Sequence, residues 1–251
     1  MRIVGIYGGQ SAEGLTADVV KAVLAGAVDA ECEFVDLNTY HLTPDQPGIA
    51  NPDLDQLEEK LAAADVWVLG TPTYFGTVAG QFKQFFDCFR HRMASMTKQG
   101  DTLPGKYKDK HYVSVTSCFA SGLDNTFTHQ TDATLTMIDK AMTVGGLHKV
   151  SEFVLPGTWQ MTRVPEEKMT AAKRLGARLV GKTRKDDAKL KRYLLLFVMI
   201  AVMALATMGI QLLLPVLTAN FWFRYASFVI IFFVLLAGLL HYFTFLRHKR
   251  R

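Results

Sequence analysis

The sequence predicts an α/β protein with a doubly wound, five-stranded parallel sheet, followed by a pair of transmembrane helices. Through residues 1–187, short apolar runs alternate with amphipathic stretches of helical period. Residues 188–251 contain two long segments without a formal charge. The charge divides at the same point: residues 1–187 hold 20 basic and 23 acidic side chains, and residues 188–251 hold eight basic and none acidic. We therefore expect two domains, 1–187 and 188–251.

Five apolar runs are each too short for an independent helix and are predicted as strands: 3–7, 33–37, 66–70, 111–116 and 149–155. Five amphipathic stretches between and after them are predicted as helices: 15–27, 54–64, 78–93, 126–144 and 166–185. Strict alternation implies crossover connections, and crossovers produce parallel strands covered by helices on both faces. Ligands of such sheets bind beyond the carboxyl ends of the strands, so the loops after Tyr7, Gly70 and Thr116 are the candidate site.

The loop after the first strand, GGQSAEGLT at residues 8–16, has features of a phosphate site. Its glycines permit a tight backbone, Ser11 and Thr16 supply hydroxyl groups, and the following helix presents free N–H groups. The loop matches neither the P-loop nor GxGxxG. A glycine-rich turn that only lets a strand pass into a helix is the alternative interpretation.

The loop after the third strand is more informative. Residues 71–76, TPTYFG, are predicted to form a rigid turn that carries an aromatic pair. Such a turn offers a flat apolar wall and backbone N–H groups, which suit a planar heteroaromatic ring with a polar edge. The alternative is that Tyr74 and Phe75 cover the edge of the sheet.

GTPTYFG at 70–76, followed by GQFKQFFDCF at 80–89, resembles the family of NADPH-dependent FMN reductases and flavodoxin-like quinone reductases. The resemblance extends over residues 1 to about 185, and the segments 103–106 and 117–122 occur in the family's order. It implies a flavodoxin-like sheet of order 2-1-3-4-5, FMN as cofactor, and NADPH or NADH as co-substrate.

The resemblance also implies the residues of the site. The FMN phosphate would bind at Gly9, Ser11, Gly14 and Thr16, where Ser11 replaces the family's Arg and Leu15 its Asn. The flavin ring would lie on Pro72, Thr73, Tyr74, Phe75 and Gly76, with Tyr74 as the stacking and catalytic residue. The other side would be closed by Ser117, Cys118, Ala120 and Gly122.

The three cysteines, Cys32, Cys88 and Cys118, are far apart and form no CxxC or Cys/His cluster. Neither a disulfide framework nor a metal site is therefore indicated. Segment 38–52 lacks the cysteines of the family's iron-sulfur branch. For Cys118 we favour a structural thiol over a redox-active one, because nothing near it in the sequence lowers its pKa.

The carboxy-terminal quarter is predicted to be a membrane hairpin with spans 194–214 and 225–246, since about 20 apolar residues cross a bilayer core. Nine basic residues flank the outer ends of the spans, and the connector 215–224 contains only Arg224. The positive-inside rule then places the amino-terminal domain and the carboxyl terminus in the cytoplasm. The segment 1–9 lacks the pattern of an export signal. A buried hairpin in a soluble protein is the alternative.

The family resemblance, together with the predicted anchor, implies a membrane-anchored oxidoreductase that passes hydride or electrons from NAD(P)H through FMN to a quinone or another small acceptor. The expected partners are the lipid bilayer, that acceptor and a second copy of the chain. No nucleic-acid partner is expected, because the net positive charge belongs to the tail. The alternative is a flavodoxin-like electron carrier or flavin-binding module that serves a membrane partner and barely oxidises NAD(P)H. A cofactor-free scaffold and a two-helix pore are further alternatives, and the pore lacks intramembrane charges.

Overall fold

The computed structural model describes residues 1–181, 189–213 and 220–249. The chain divides into two compact units, of which the described parts are 1–181 and 189–249. The elements of the amino-terminal unit follow in chain order: β1 Arg2–Tyr7, α1 Leu15–Gly26, β2 Glu31–Asp36, α2 Pro52–Ala63, β3 Val66–Tyr74, β4 Thr77–Val78, α3 Gly80–Met93, β5 Ala94–Met96, β6 Thr102–Pro104, β7 His111–Ser117, α4 Gly122–Thr128, α5 Asp132–Val144, β8 His148–Leu155 and α6 Glu166–Ala177.

The main sheet has the strand order β2-β1-β3-β7-β8, with all four pairings parallel. This confirms the predicted order 2-1-3-4-5. The register aligns the carboxyl ends of the central strands: Tyr7 pairs with Gly70 on β3, and Ser117 of β7 pairs with Pro72. The loops that follow β1, β3 and β7 therefore meet at one edge of the sheet.

Two apolar cores cover the two faces of the sheet. One contains Trp67 and the phenylalanines of α3, with side chains from α2 and α5. The other contains the valines of α1 and the apolar side chains of α6. The layers are thus helix, sheet and helix, as parallel strands with crossover helices require.

The helices α1 and α6 cross at very short distance, because a glycine lies on each side of the crossing. A Cβ atom on Gly26 would lie 2.0 Å from the carbonyl oxygen of Lys173, and one on Gly176 would lie 1.8 Å from that of Val23. Both distances are far below van der Waals contact. Only glycine permits this approach of the two backbones.

The third strand is longer than predicted. The expectation that it ends at Gly70 and that 71–76 form a turn was wrong, because β3 continues to Tyr74 and pairs with the short antiparallel strand β4. The turn itself is only Phe75 and Gly76, with φ angles of 50° and 75°. The threonine hydroxyls explain the extension, since Thr71 Oγ1 accepts a hydrogen bond from Ala79 N at 3.1 Å.

Other predicted boundaries also differ, most of all in three helices. The helix predicted at 126–144 is two helices, α4 and α5, because His129 has a left-handed φ of 55° and ends α4. The helix predicted from residue 78 begins at Gly80, since β4 occupies 77–78. The helix predicted at 166–185 ends at Ala177; residues 182–185 lie outside the described residues. The β5–β6 hairpin has no counterpart in the sequence prediction.

The carboxy-terminal unit consists of α7 Lys189–Leu213 and α8 Phe221–Lys249. Among the described residues, one helical segment is long and apolar enough to cross a membrane, Phe221–Leu239, with a mean hydropathy of 2.0. The apolar segment of α7, Phe197–Leu213, is shorter. Residue 214, the predicted end of the first span, lies outside the described residues.

Helix α8 begins four residues before the predicted span, which corrects the position of Arg224. The side chain of Asn220 accepts a hydrogen bond from Phe223 N at 3.0 Å and caps the helix. Arg224 therefore lies in the first turn of α8 rather than in the connector.

The two helices contact each other through polar side chains. Gln211 Nε2 donates hydrogen bonds to the carbonyl oxygen of Arg224 at 2.8 Å and to Ser227 Oγ at 2.7 Å. Gln211 and Ser227 are buried, whereas Leu212, Trp222 and Phe233 are at least 68% exposed. Polar groups thus lie between the helices and apolar groups lie on the outside.

Candidate functional site

A cavity of about 240 Å³ lies at the carboxyl edge of the sheet. It borders β1 and β3, which is where the strand order reverses, the position at which open α/β sheets bind their ligands. Ten residues line the cavity: Tyr7, Gln10, Ser11, Gly14, Leu15, Thr16, Pro72, Tyr74, Ser117 and Thr158.

The loop 8–16 forms one wall and leads into α1. Ser11 closes a compact turn, since its carbonyl oxygen accepts from Gly14 N at 3.1 Å and its hydroxyl accepts from Glu13 N at 3.2 Å. Gly14 is the N-cap of α1, and no side chain caps the helix. Within the described chain, the N–H groups of residues 15–17 have no acceptor. An uncapped helix start carries a partial positive charge and suits an anion such as a phosphate.

A pair of hydroxyl groups lies beside the helix start. Thr16 Oγ1 and Ser117 Oγ are 2.6 Å apart, and both side chains are buried. The pair holds two protons and needs only one for its own hydrogen bond. One hydroxyl can therefore donate its proton to a ligand. The bond also fixes α1 against β7.

Tyr7, the last residue of β1, extends beneath the loop. Its side chain is 3% exposed, and its ring stacks on Phe34 with centroids 6.3 Å apart. A Cβ atom on Gly9 would lie 2.3 Å from the Tyr7 hydroxyl oxygen, so residue 9 has no room for a side chain. Burial, followed by the nearby Tyr74, raises the pKa of Tyr7 to about 12, and the Ser11 backbone lowers it slightly. The phenol is therefore neutral at physiological pH.

The wall predicted for a flavin ring divides between two faces of the strand. Pro72 and Tyr74 line the cavity, and the ring of Tyr74 is 45% exposed at its mouth. Thr73 points the opposite way, where its hydroxyl lies 2.9 Å from the hydroxyls of both Thr116 and Thr134. Phe75 is fully exposed. Thr73, Phe75 and Gly76 are not among the residues that line the cavity.

The third loop is divided in the same way. Ser117 lines the cavity, whereas Cys118, Ala120 and Gly122 do not. The Cys118 thiol is buried and donates a hydrogen bond to the carbonyl oxygen of Ala120 at 3.6 Å. Burial raises the pKa of this thiol. A buried, protonated thiol is unreactive, which agrees with the structural role we favour for Cys118.

Sequence reasoning missed four residues of the cavity: Tyr7, Gln10, Leu15 and Thr158. Tyr7 ends β1, Gln10 lies in the loop that follows, and Leu15 begins α1, so the position of all three along the predicted loop indicated the site. Thr158 follows β8 and is held by a hydrogen bond from its N–H to the carbonyl oxygen of Cys118 at 3.1 Å. No motif marks this residue in the sequence.

A second cavity, of about 280 Å³, lies at the amino ends of the strands and borders Arg2, Glu31, Glu33 and Lys60. Four of its charged side chains form two ion pairs, Arg2 with Glu31 and Lys60 with Glu33. It is remote from the three loops. The described residues contain no group of three or more His, Cys, Asp and Glu side chains that could hold a metal ion.

This sheet order, with a glycine loop and an uncapped helix at the switch point, defines the class of flavodoxin-like proteins. Residues 1–133, just over half of the chain, match the family model described as NADPH-dependent FMN reductase. The chain belongs to the NADPH-dependent FMN reductase family. The match confirms the predicted family.

One curated relative is an iron-sulfur flavoprotein of Methanocaldococcus jannaschii, 32% identical over 98 residues. The match covers 35% of this chain, and the chain spans only 51% of that relative's length. Segment 38–52 of this chain contains no cysteine, and the three cysteines present are one exposed and two buried thiols, all free.

Solved structures share the fold. The NAD(P)H:quinone oxidoreductase of Methanothermobacter marburgensis has a TM-score of 0.61 and 15% identity, covering 71% of this chain and 98% of its own. An FMN-dependent NADH-azoreductase of Bacillus anthracis, solved with FMN, has a TM-score of 0.54 and 9% identity, covering 71% of this chain and 96% of its own.

Proposed function

We propose that this protein is a membrane-anchored, FMN-dependent NAD(P)H oxidoreductase that passes hydride or electrons to a quinone or another small acceptor. The observation that carries the proposal is the cavity at the switch point, which joins the uncapped start of α1 to the wall of Pro72 and Tyr74. A flavin mononucleotide needs both parts, an anion site and a flat apolar wall.

Each part of the cavity has a separate task. The N–H groups at the start of α1 and the Thr16–Ser117 hydroxyl pair bind the phosphate and fix the position of the cofactor. Pro72 and the half-exposed ring of Tyr74 cover one side of the flavin and exclude water from it. Bound FMN supplies the hydride chemistry. The turn of Phe75 and Gly76 between β3 and β4 does not line the cavity, and we propose that its N–H groups would stabilise negative charge at the edge of a bound ring.

The distribution of side chains in the carboxy-terminal unit supports the membrane anchor. Phe221–Leu239 is apolar and only 6% buried, while the polar Thr207, Gln211 and Ser227 are enclosed between the helices. This arrangement suits a hydrocarbon solvent, where helices contact each other through small and polar residues. The nine basic residues at the outer ends of the two helices favour a cytoplasmic amino-terminal domain, with the anchor beginning at residue 188.

A homodimer is supported by apolar side chains beyond the carboxyl ends of the strands. Five of them are at least 61% exposed: Phe75, Phe119, Leu123, Phe127 and Trp159. The mass of the full chain in detergent, measured by light scattering, should be that of two copies. Phe127→Ser should reduce it, and Val28→Ser, on an exposed loop outside this edge, should leave it unchanged.

The activity is tested by the visible spectrum of the full chain in detergent, before and after anaerobic addition of NADPH or NADH. We expect oxidised-flavin bands that bleach rapidly and reappear when a soluble quinone is added. Bands that persist with both nicotinamides would indicate an electron carrier reduced by another protein. A chain that takes up no FMN would contradict the proposal and indicate a scaffold.

The topology is tested with a membrane-impermeant maleimide and two single cysteine substitutions in a Cys32→Ser background, because the exposed Cys32 would itself react. Gln99→Cys lies in the exposed β5–β6 hairpin, and Asn220→Cys lies at the exposed start of α8. In intact cells only the second should react, and after lysis both should react. Equal labelling of both in intact cells would contradict a cytoplasmic domain.

A further inference from the structure

The side chain of Tyr7 is almost completely buried, yet its hydroxyl borders the cavity rather than the core. The oxygen would lie 2.3 Å from a Cβ atom on Gly9 and 3.8 Å from one on Gly14. It is therefore beneath the loop that leads into α1, within the space that side chains at positions 9 and 14 would otherwise approach. The phenol extends from β1 into the predicted phosphate site.

The orientation of the ring is fixed from two sides. Phe34 of β2 stacks on it, and the absence of a side chain at Gly9 leaves room only for the hydroxyl end. Among the described residues, no acceptor is found for the proton of the Tyr7 hydroxyl. Because Tyr7 borders the cavity, this proton is available to a ligand there.

The chemistry of the proton indicates the class of ligand. The raised pKa keeps the phenol protonated over the whole physiological range, so the group acts as a neutral hydrogen-bond donor. Asp18 and Asp36 lie near enough to disfavour a phenolate. The same loop also carries a cation, since Lys21 Nζ donates a hydrogen bond to the carbonyl oxygen of Ala12 at 2.7 Å. Neutral donors beside a helix start suit an anion rich in acceptor oxygens.

We propose that the Tyr7 hydroxyl donates a hydrogen bond to the phosphate of FMN, and that Gly9 is required because a side chain there would displace that hydroxyl. The inference deepens the proposed function and rests on it. It also explains how the loop can bind a phosphate although Ser11 and Leu15 stand where the family has Arg and Asn. The missing donors are replaced from β1 rather than from within the loop.

The test compares FMN with riboflavin, which differs only by the phosphate, in the full chain in detergent. Tyr7→Phe removes one oxygen and keeps the ring against Phe34. Loss of a hydrogen bond to a charged group should raise the Kd for FMN about ten- to hundredfold and leave the Kd for riboflavin within about twofold. Quenching of flavin fluorescence measures both constants without any turnover.

Tyr112→Phe is the matched control, because Tyr112 is an equally buried tyrosine whose hydroxyl bonds to Asp139 at 3.0 Å on the other face of the sheet. It should leave the ratio of the two Kd values unchanged. Gly9→Ala is the second variant and should raise the Kd for FMN at least as much as Tyr7→Phe does.

The outcomes separate the inference from the proposed function. If the wild type binds FMN and Tyr7→Phe binds it equally well, the inference is overturned and the proposed function stands. If Tyr7→Phe weakens both flavins equally, Tyr7 shapes the ring pocket and the inference is also overturned. If the wild type binds no FMN, both are overturned.

Discussion

The two units of this chain place their polar and apolar side chains in opposite ways. In the amino-terminal unit the largest apolar side chains, such as Trp67 and Phe85, are fully buried. In the carboxy-terminal unit Gln211 and Thr207 are buried, and Phe233 is 68% exposed. The difference teaches that apolar content alone does not identify a core. The position of the polar groups supports the proposal that the carboxy-terminal unit is built for a hydrocarbon solvent.

The largest expected effect comes from the buried aromatic cluster of α3. Phe85→Ala should lower the free energy of unfolding of the amino-terminal unit by about 3–5 kcal/mol, because Phe85 is fully buried and contacts Phe82, Phe86 and Phe89. Phe233→Ala, the matched control on α8, should have little effect in detergent. Urea titration followed by hydrogen exchange separates the two units. Equal losses of stability in Phe85→Ala and Phe233→Ala would contradict the expected difference between the two units.

The close crossing of α1 and α6 should be nearly as sensitive. Gly176→Ala places a methyl group 1.8 Å from the carbonyl oxygen of Val23, so the helices must separate, at a cost of about 2–3 kcal/mol. Gly209→Ala in α7 is the control, since nothing lies within 4 Å of that position. It should be neutral or slightly stabilising, because alanine favours helix. Thermal unfolding measures both, and an unchanged Tm for Gly176→Ala would contradict the tight crossing.

A smaller effect is expected between α7 and α8. Gln211→Leu removes two interhelical hydrogen bonds and should destabilise the helix pair by about 1 kcal/mol, although it makes the interface more apolar. Thr207→Val should cost less, because its hydroxyl bonds within α7 to the carbonyl oxygen of Met203. Hydrogen exchange of α8 during SDS titration measures both. Stabilisation by Gln211→Leu would indicate an ordinary water-soluble interior.

The smallest effect is a pH dependence confined to one unit. Hydrogen bonds from Arg92 hold the pKa of Asp45 below its ordinary value of 3.8. A carboxyl whose pKa is lowered by folding stabilises the fold above the unfolded pKa, and this contribution is lost as the pH falls below about 4. The loss should be under about 1 kcal/mol and absent in Asp45→Asn. The helix pair should not respond, because the sequence has no Asp or Glu after Asp187.

Much of the fold was predictable because a parallel sheet needs uniformly apolar strands, and such runs are visible in the sequence. The errors share a physical cause. The end of β3 contains Thr71 and Thr73, whose hydroxyls find partners in neighbouring elements, so polar residues continue the strand. The break between α4 and α5 depends on the left-handed backbone conformation of His129. This conformation is uncommon for residues other than glycine, so the sequence does not predict it.

The site was predictable to the level of loops but not of single side chains. Residues next to the ends of parallel strands converge, which brings Ser11, Thr16, Pro72, Tyr74 and Ser117 to one cavity. Successive residues of a strand point to opposite faces. This explains why Thr73 of β3 faces away, although its neighbours Pro72 and Tyr74 line the cavity.

The close approach of Gly26 and Gly176 has a consequence for how such a chain can vary. The two positions are 150 residues apart in the sequence but lie at the same helix crossing. At each of them a side chain would collide with the backbone of the other helix. The family model matches residues 1–133, so Gly26 lies in the matched portion and Gly176 beyond it. A chimera that exchanges the carboxy-terminal half with that of a relative must therefore bring a glycine at the crossing. Otherwise α1, whose first turn borders the cavity, would be pushed from its place.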